Sequence, residues 1–180
     1  GTITSVTSNP ANISGLSANT TYDFYVRDSC GLNDVSIWVG PVKVKTLCNP
    51  TNAPYSEDFS SPSFAAGPNF ADTGSIDDCW RRDNLVNMTW KGGPAIFPPF
   101  NSGPSVDHTD GTASGKYVFT DAIGFGVAGA RETNLWTDLI NISSLASPQL
   151  SFWYHMFGQD ITRLEVYVSD DGVNWSLEMT

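Results

Sequence analysis

The stretch LSFWYHM at residues 150–156 decides the fold. Its aromatic side chains suit a pleated strand, and we predict a strand over residues 149–155. Two further strands are predicted outward from it, at residues 117–120 and 164–169. The sequence Asp170-Asp171-Gly172 predicts a tight hairpin turn after the second of these. Short strands separated by long Gly-, Pro- and Asp-rich loops predict an all-β protein, of the β-sandwich or jelly-roll type.

The composition supports this fold class and excludes several functions. The chain of 180 residues has 15 Asp but only 4 Glu and 4 Lys, and its net charge is -10. Asp favours turns over helices. A strongly acidic chain repels phosphate backbones and anionic lipid, so we expect no nucleic-acid partner. The uncharged stretch at residues 139–159 contains too many polar residues, such as Asn141 and Gln149, for a transmembrane segment.

Residues 1–48 have the pattern of a small β-sandwich. A strand is predicted over residues 2–7. Tyr22, Phe24 and Val26 alternate with Asp23, Tyr25 and Arg27, which is the period-two pattern of a half-buried strand. Residues 38–47 are predicted to form its partner strand.

The spacing of Leu16 and Tyr22 resembles one corner of a fibronectin type III domain. In that family the tyrosine hydroxyl returns to the backbone near the leucine. The resemblance covers only the C-terminal part of such a domain, residues 1–48, and its first strands are expected to lie outside the chain. Residues 49–54 are predicted to be a stiff, proline-containing linker.

A more specific resemblance covers residues 55–180. It is carried by the blocks PYSEDF (54–59), CW (79–80), GPSVDHT (103–109), GKY (115–117), LASP (145–148) and LSFWYHM (150–156). This series resembles the MAM family, the jelly-roll domain of meprins, neuropilins and receptor tyrosine phosphatases. The resemblance implies a truncated jelly roll that lacks its final strands at the C-terminus. The combination with a fibronectin-type unit resembles secreted multidomain proteins of Bacteroidetes-like bacteria.

These resemblances imply a non-catalytic adhesion or recognition module pair from a larger secreted or cell-surface protein. The expected partner is a protein or glycan at the cell surface. No enzyme is predicted, because adjacent carboxylates such as Asp77-Asp78 are not a catalytic dyad and His108 and His155 lack a metal-ligand spacing. His155 is expected to be a hydrogen-bonded core residue. The alternative is a carbohydrate-binding accessory region of a secreted hydrolase or protease.

Two kinds of candidate site follow. A structural calcium ion is expected at oxygen-rich loops, with Asp58, Asp77 and Asp107 as its candidate ligands. Solvated surface charge is the alternative for these residues. A candidate ligand platform for the carbohydrate alternative comprises the aromatic residues Trp90, Phe97, Phe100 and Trp136. Core packing is the alternative for these four side chains.

The three cysteines, Cys30, Cys48 and Cys79, suit an extracellular, oxidising environment. Cys30 and Cys48 end the two strands of one hairpin at opposite poles, about 30 Å apart, which is too far for a bond. Cys48 lies at the unit boundary, within reach of Cys79. The MAM resemblance likewise implies a disulfide between Cys48 and Cys79, because the family's first cysteine pair bridges this end of the jelly roll. Cys30 is left for a partner outside the chain.

Overall fold

Every regular element among the described residues is a β-strand. The computed structural model describes residues 1–31, 33–65, 67, 74–83, 88–94, 102–120, 132–158 and 161–180. The strands are β1 (Thr21–Val26), β2 (Ser29–Gly31), β3 (Asp34–Val35), β4 (Val39–Lys45), β5 (Thr51–Asn52), β6 (Arg81–Arg82), β7 (Lys91–Pro94), β8 (Lys116–Phe119), β9 (Leu135–Trp136), β10 (Ile140–Asn141), β11 (Val166–Val168) and β12 (Ser176–Met179). The all-β prediction is confirmed. Within those ranges there is no helix that could cross a membrane.

The N-terminal unit is built on the antiparallel pair β1–β4. Tyr22 lies opposite Val44 and Phe24 opposite Val42, so apolar side chains share one face. The predicted partner strand at residues 38–47 is thereby confirmed, with slightly shorter bounds. The strand predicted at residues 2–7 does not form. Ile3 is 71% exposed, and no strand among the described residues lies beside the segment to complete its backbone hydrogen bonds.

The connector after the first unit is part of a sheet. Strand β5 pairs in parallel with β10, with Thr51 opposite Ile140 and Asn52 opposite Asn141. The amide groups of Asn52 and Asn141 add a hydrogen bond of 3.0 Å. Residues 51–52 are therefore held against the second unit by backbone pairing, in addition to any stiffness that proline supplies.

The second unit has a small aromatic core beside the antiparallel pairs β7–β8 and β6–β9. Phe64 is fully buried, and its ring packs edge-on against Phe59 at 5.2 Å and Trp80 at 6.0 Å between ring centroids. Strand β7 passes close to the backbone of Phe64. A Cβ atom at Gly92 would lie 2.9 Å from the Cβ of Phe64, so only glycine fits there.

The sequence prediction is wrong for residues 149–155, which form no strand. Aromatic content favoured a strand, but a strand also needs a partner for its backbone groups, and none of the described residues supplies one. The C-terminal hairpin is confirmed. Strand β11 is shorter than the predicted 164–169 and pairs with β12 around the turn that contains Asp171.

Candidate functional site

Asp107 organises a single loop. It is only 4% exposed, and its carboxylate accepts hydrogen bonds from the backbone N–H groups of Thr109 (2.8 Å), Asp110 (2.9 Å) and Thr112 (3.4 Å). These hydrogen bonds lower the pKa of Asp107 below its usual value, and the one from the N–H of Asp110 has the largest effect. Gly115 lies against Asp107 at the end of this loop. Only glycine fits there, because a Cβ atom would overlap the carboxylate of Asp107.

Asp58 and Asp77 each bind their own local backbone. Asp58 accepts the N–H of Ser60 at 2.9 Å, and this hydrogen bond lowers the pKa of Asp58. Asp77 accepts the hydroxyl of Ser63 and the N–H of Cys79, both at 2.9 Å. Both carboxylates are therefore engaged in turns, as Asp side chains commonly are.

The structure does not bring Asp58, Asp77 and Asp107 together into one cluster. Among the described residues, the one group of potential metal ligands within mutual reach is Cys48, Cys79 and Asp138. Cys48 and Cys79 form a disulfide with a Cα–Cα distance of 5.7 Å, so their sulfur atoms are not thiolate ligands. Asp138 instead accepts the backbone N–H of Cys48 at 3.1 Å. Calcium binding by the three aspartates stays a prediction.

The side chain of Lys116 binds the loop at residues 60–64. The ammonium of Lys116 donates to the backbone carbonyl oxygens of Ser60 (3.3 Å), Ser61 (3.1 Å) and Phe64 (3.0 Å). The three protons of an ammonium group match these three acceptors. The carbonyl oxygens of residues 60–64 thus already face a positive charge from the chain itself.

The aromatic candidates have different environments. The indole N–H of Trp90 donates to the carbonyl oxygen of Thr133 at 3.0 Å, which indicates a packing role. Trp136 lines an open groove. Phe97 and Phe100 lie outside the described residues.

The groove that contains Trp136 has a volume of about 630 Å³. Aromatic and charged side chains dominate its lining, namely Lys45, Asp77, Asp78, Trp80, Arg81, Arg82 and Trp136. Sequence analysis identified Trp136 but missed Trp80, Arg81 and Arg82 as lining residues. The run Trp80-Arg81-Arg82 could have indicated them from the sequence, because it places two of the chain's nine basic residues beside an indole.

Both histidines lie at the surface, although the sequence predicted a core position for His155. His108 stacks on Trp153 with 3.7 Å between the ring centroids. His155 is exposed, so the prediction of a core position is wrong. The surrounding segment is exposed as well, and Trp153 is 77% accessible to solvent. Residues 149–155 belong to no sheet in the described part of the chain, so no paired strand holds these side chains in a core.

Two comparisons with known proteins found similar sequences. Residues 69–179 match the family model "MAM domain, meprin/A5/mu". Neuropilin-1a of Danio rerio is 38% identical to the chain over 78 residues, which is 38% of this chain and 7% of that protein. The chain therefore spans only a small part of that relative. No solved structure matches.

The fold is all-β, and the Cys48–Cys79 disulfide fits an extracellular domain. The chain belongs to the MAM family, since the family model covers more than half of its residues. MAM domains are extracellular adhesion and recognition modules. Family membership favours a role in binding over one in catalysis.

Proposed function

We propose that this chain is a non-catalytic adhesion and recognition module pair within a larger secreted or cell-surface protein. The match of residues 69–179 to the MAM family carries this proposal. Residues 1–48 act as the fibronectin-type spacer, residues 49–54 as the linker and residues 55–180 as the binding domain. A bacterial source of the Bacteroidetes-like kind belongs to the same proposal.

Two contacts support this division of roles. The backbone N–H of Ser17 donates to the hydroxyl of Tyr22 at 2.8 Å, which is the contact expected at a fibronectin-type corner. The Cys48–Cys79 disulfide and the β5–β10 pair both tie the connector to the second unit. A connector held in this way limits the orientations of the module that follows it.

The experiment is a binding screen of the intact, oxidised chain against two arrays, one of extracellular proteins and one of glycans. Specific binding to a protein ligand or a glycan, lost after reduction of the disulfide, is the expected result. Absence of binding on both arrays, or a hydrolytic activity in the purified chain, would overturn the proposal.

The second candidate function is a carbohydrate-binding accessory region of a secreted hydrolase or protease. The groove that contains Trp80 and Trp136 favours it, because indole rings present flat apolar faces to sugars. Binding confined to the glycan array would favour this candidate over protein adhesion.

Structural calcium at Asp58, Asp77 or Asp107 is a separate proposal, supported by the oxygen-rich turns around these residues. Thermal unfolding with calcium and with a chelator tests it. A higher Tm in calcium is expected. Replacing the aspartate that binds calcium by asparagine should abolish this increase in Tm. Equal Tm values in both buffers would contradict it.

A further inference from the structure

The groove concentrates positive charge on a strongly acidic protein. The net charge of the chain is -10, yet three of its nine basic residues, Lys45, Arg81 and Arg82, line this one groove beside two carboxylates, Asp77 and Asp78. The lining therefore has one more positive than negative group, which favours an anionic ligand there over the rest of the surface. The rest of the surface repels extended polyanions, so a ligand with a few discrete negative charges fits better than a nucleic acid.

Internal contacts already use most of the charges in the groove. Lys45 forms an ion pair with Asp78 at 3.5 Å. Arg82 donates to the backbone carbonyl oxygens of Trp90 and Gly74, which anchors its guanidinium. Its pKa is lowered by desolvation, as expected for a partly buried group.

Arg81 is the basic group that remains available. Its side chain is exposed, and its guanidinium has no hydrogen bond or ion pair with any residue in the described part of the chain. A planar guanidinium donates two parallel hydrogen bonds to a carboxylate. The groove therefore offers a bidentate site for a carboxylate at Arg81.

Trp136 stands beside this site because of the register of the β6–β9 pair. Arg81 lies directly opposite Trp136, and directly opposed residues of an antiparallel pair project to the same face about 5 Å apart. Trp80, a second lining residue, is held by edge contacts with Phe59 (5.6 Å) and Phe64 (6.0 Å). Ring contacts therefore hold the Trp80 indole, and strand register places Trp136 opposite Arg81.

We propose that this groove binds an acidic sugar, in which the carboxylate pairs with Arg81 and the apolar face of the ring packs on Trp136. This inference rests on the recognition function proposed above and names its ligand class. A volume of about 630 Å³ suits a small ligand, since such sites are typically about 300–1,000 Å³. A side-chain-lined groove favours a sugar over an acidic peptide, because extended peptides are usually bound along a sheet edge by backbone pairing.

The experiment measures binding of trigalacturonate to the intact, oxidised chain by titration calorimetry. The neutral galactose trisaccharide and an Asp-rich peptide are the comparison ligands. Arg81→Gln is expected to weaken trigalacturonate binding at least ~10-fold, because it removes the charged bidentate donor. Arg163→Gln is the matched control, since it removes the same charge at an exposed residue that pairs with Glu165 and does not line the groove. It should change the affinity less than ~2-fold, within the range of a screened surface charge.

Several results would overturn the inference. One is that the parent chain does not bind trigalacturonate, or that it binds the neutral trisaccharide equally well or the Asp-rich peptide more tightly. Another is that the Arg81→Gln variant binds trigalacturonate as tightly as the parent chain does. The protein and glycan arrays read out the broader function independently. If the chain binds a protein on the array but shows no Arg81-dependent binding of trigalacturonate, the proposed recognition function stands and only the acidic-sugar ligand is ruled out.

Discussion

The ammonium nitrogen of Lys116 lies 3.0 Å from the backbone carbonyl oxygen of Phe64. Lys116 begins β8, and Phe64 places the fully buried ring at the centre of the aromatic cluster. Two more carbonyl oxygens of the same loop, those of Ser60 and Ser61, accept from this ammonium. One side chain therefore fastens the loop that carries the core phenylalanine to a strand distant in sequence.

Replacement of Lys116 by Met is expected to destabilise the protein by about 1–3 kcal/mol. Methionine keeps much of the apolar stem but leaves the three carbonyl oxygens without their charged donor. Lys43→Met is the control, because it breaks an exposed ion pair with Asp23, and such solvent-screened pairs contribute little to stability. Urea unfolding gives both values. A Lys116→Met variant as stable as the control would show that the ammonium does not hold the loop.

Loss of the Cys48–Cys79 disulfide is expected to cost about 3–4 kcal/mol. The bond closes a loop with a sequence separation of 31. Its removal raises the conformational entropy of the unfolded chain and so favours unfolding. The double variant Cys48→Ser/Cys79→Ser, measured by urea unfolding, tests this. Cys30→Ser is the matched control, because Cys30 is an exposed free thiol. Similar stability of the double variant and the control would contradict the predicted contribution.

The elements that the sequence predicted best depend on local signals. The alternation around Tyr22 predicts β1, and Asp170-Asp171-Gly172 predicts the last hairpin, because each pattern lies within a few residues of the structure it specifies. The carboxylate of Asp171 accepts the backbone N–H groups of Val173 and Asn174, which completes that turn.

The candidate groove could be predicted only in part, because it depends on long-range pairing. Arg81 and Trp136 meet through a two-residue antiparallel pair that has no alternation long enough to detect. For the same reason residues 149–155 were wrongly predicted as a strand. Their aromatic composition favours a strand, whereas the actual outcome depends on a partner that composition does not reveal.

Acid is expected to remove the contribution of Asp107 to stability. The folded-state pKa of Asp107 lies below its usual value of about 3.9. Its contribution is therefore complete above the unfolded-state pKa and is lost as pH falls through the lower folded-state pKa. Asp107→Asn should be less stable than the parent at neutral pH, and the difference should shrink as pH falls below about 4.

Thermal unfolding between neutral pH and strong acid measures that difference. Asp110→Asn, in the same loop, is the control for the change in net charge, because its exposed carboxylate lies outside the network of Asp107. A gap between Asp107→Asn and the parent that stays constant down to strong acid would rule out ionisation of Asp107 as its source.

Removal of the Tyr117 hydroxyl is expected to leave stability unchanged or to raise it by up to about 1 kcal/mol. This hydroxyl is buried and has no hydrogen-bond partner in the described structure, so Tyr117→Phe removes a desolvated polar group without breaking a bond. Tyr22→Phe is the matched comparison, because the Tyr22 hydroxyl accepts the Ser17 N–H at 2.8 Å. We expect that variant to lose about 0.5–1.5 kcal/mol. An equal loss of stability in Tyr117→Phe and Tyr22→Phe would contradict the conclusion that the Tyr117 hydroxyl makes no hydrogen bond.

An alkaline titration gives an independent check on Tyr117. Burial raises the pKa of Tyr117 to about 12, so the folded state keeps the phenol neutral where the unfolded state ionises near 10. Stability should therefore fall as pH rises from about 10 to about 12, and this fall should be smaller in Tyr117→Phe. Unfolding followed by circular dichroism across this range measures the slope. A parent and a Tyr117→Phe variant with identical alkaline slopes would show that the Tyr117 phenol is not desolvated in the folded protein.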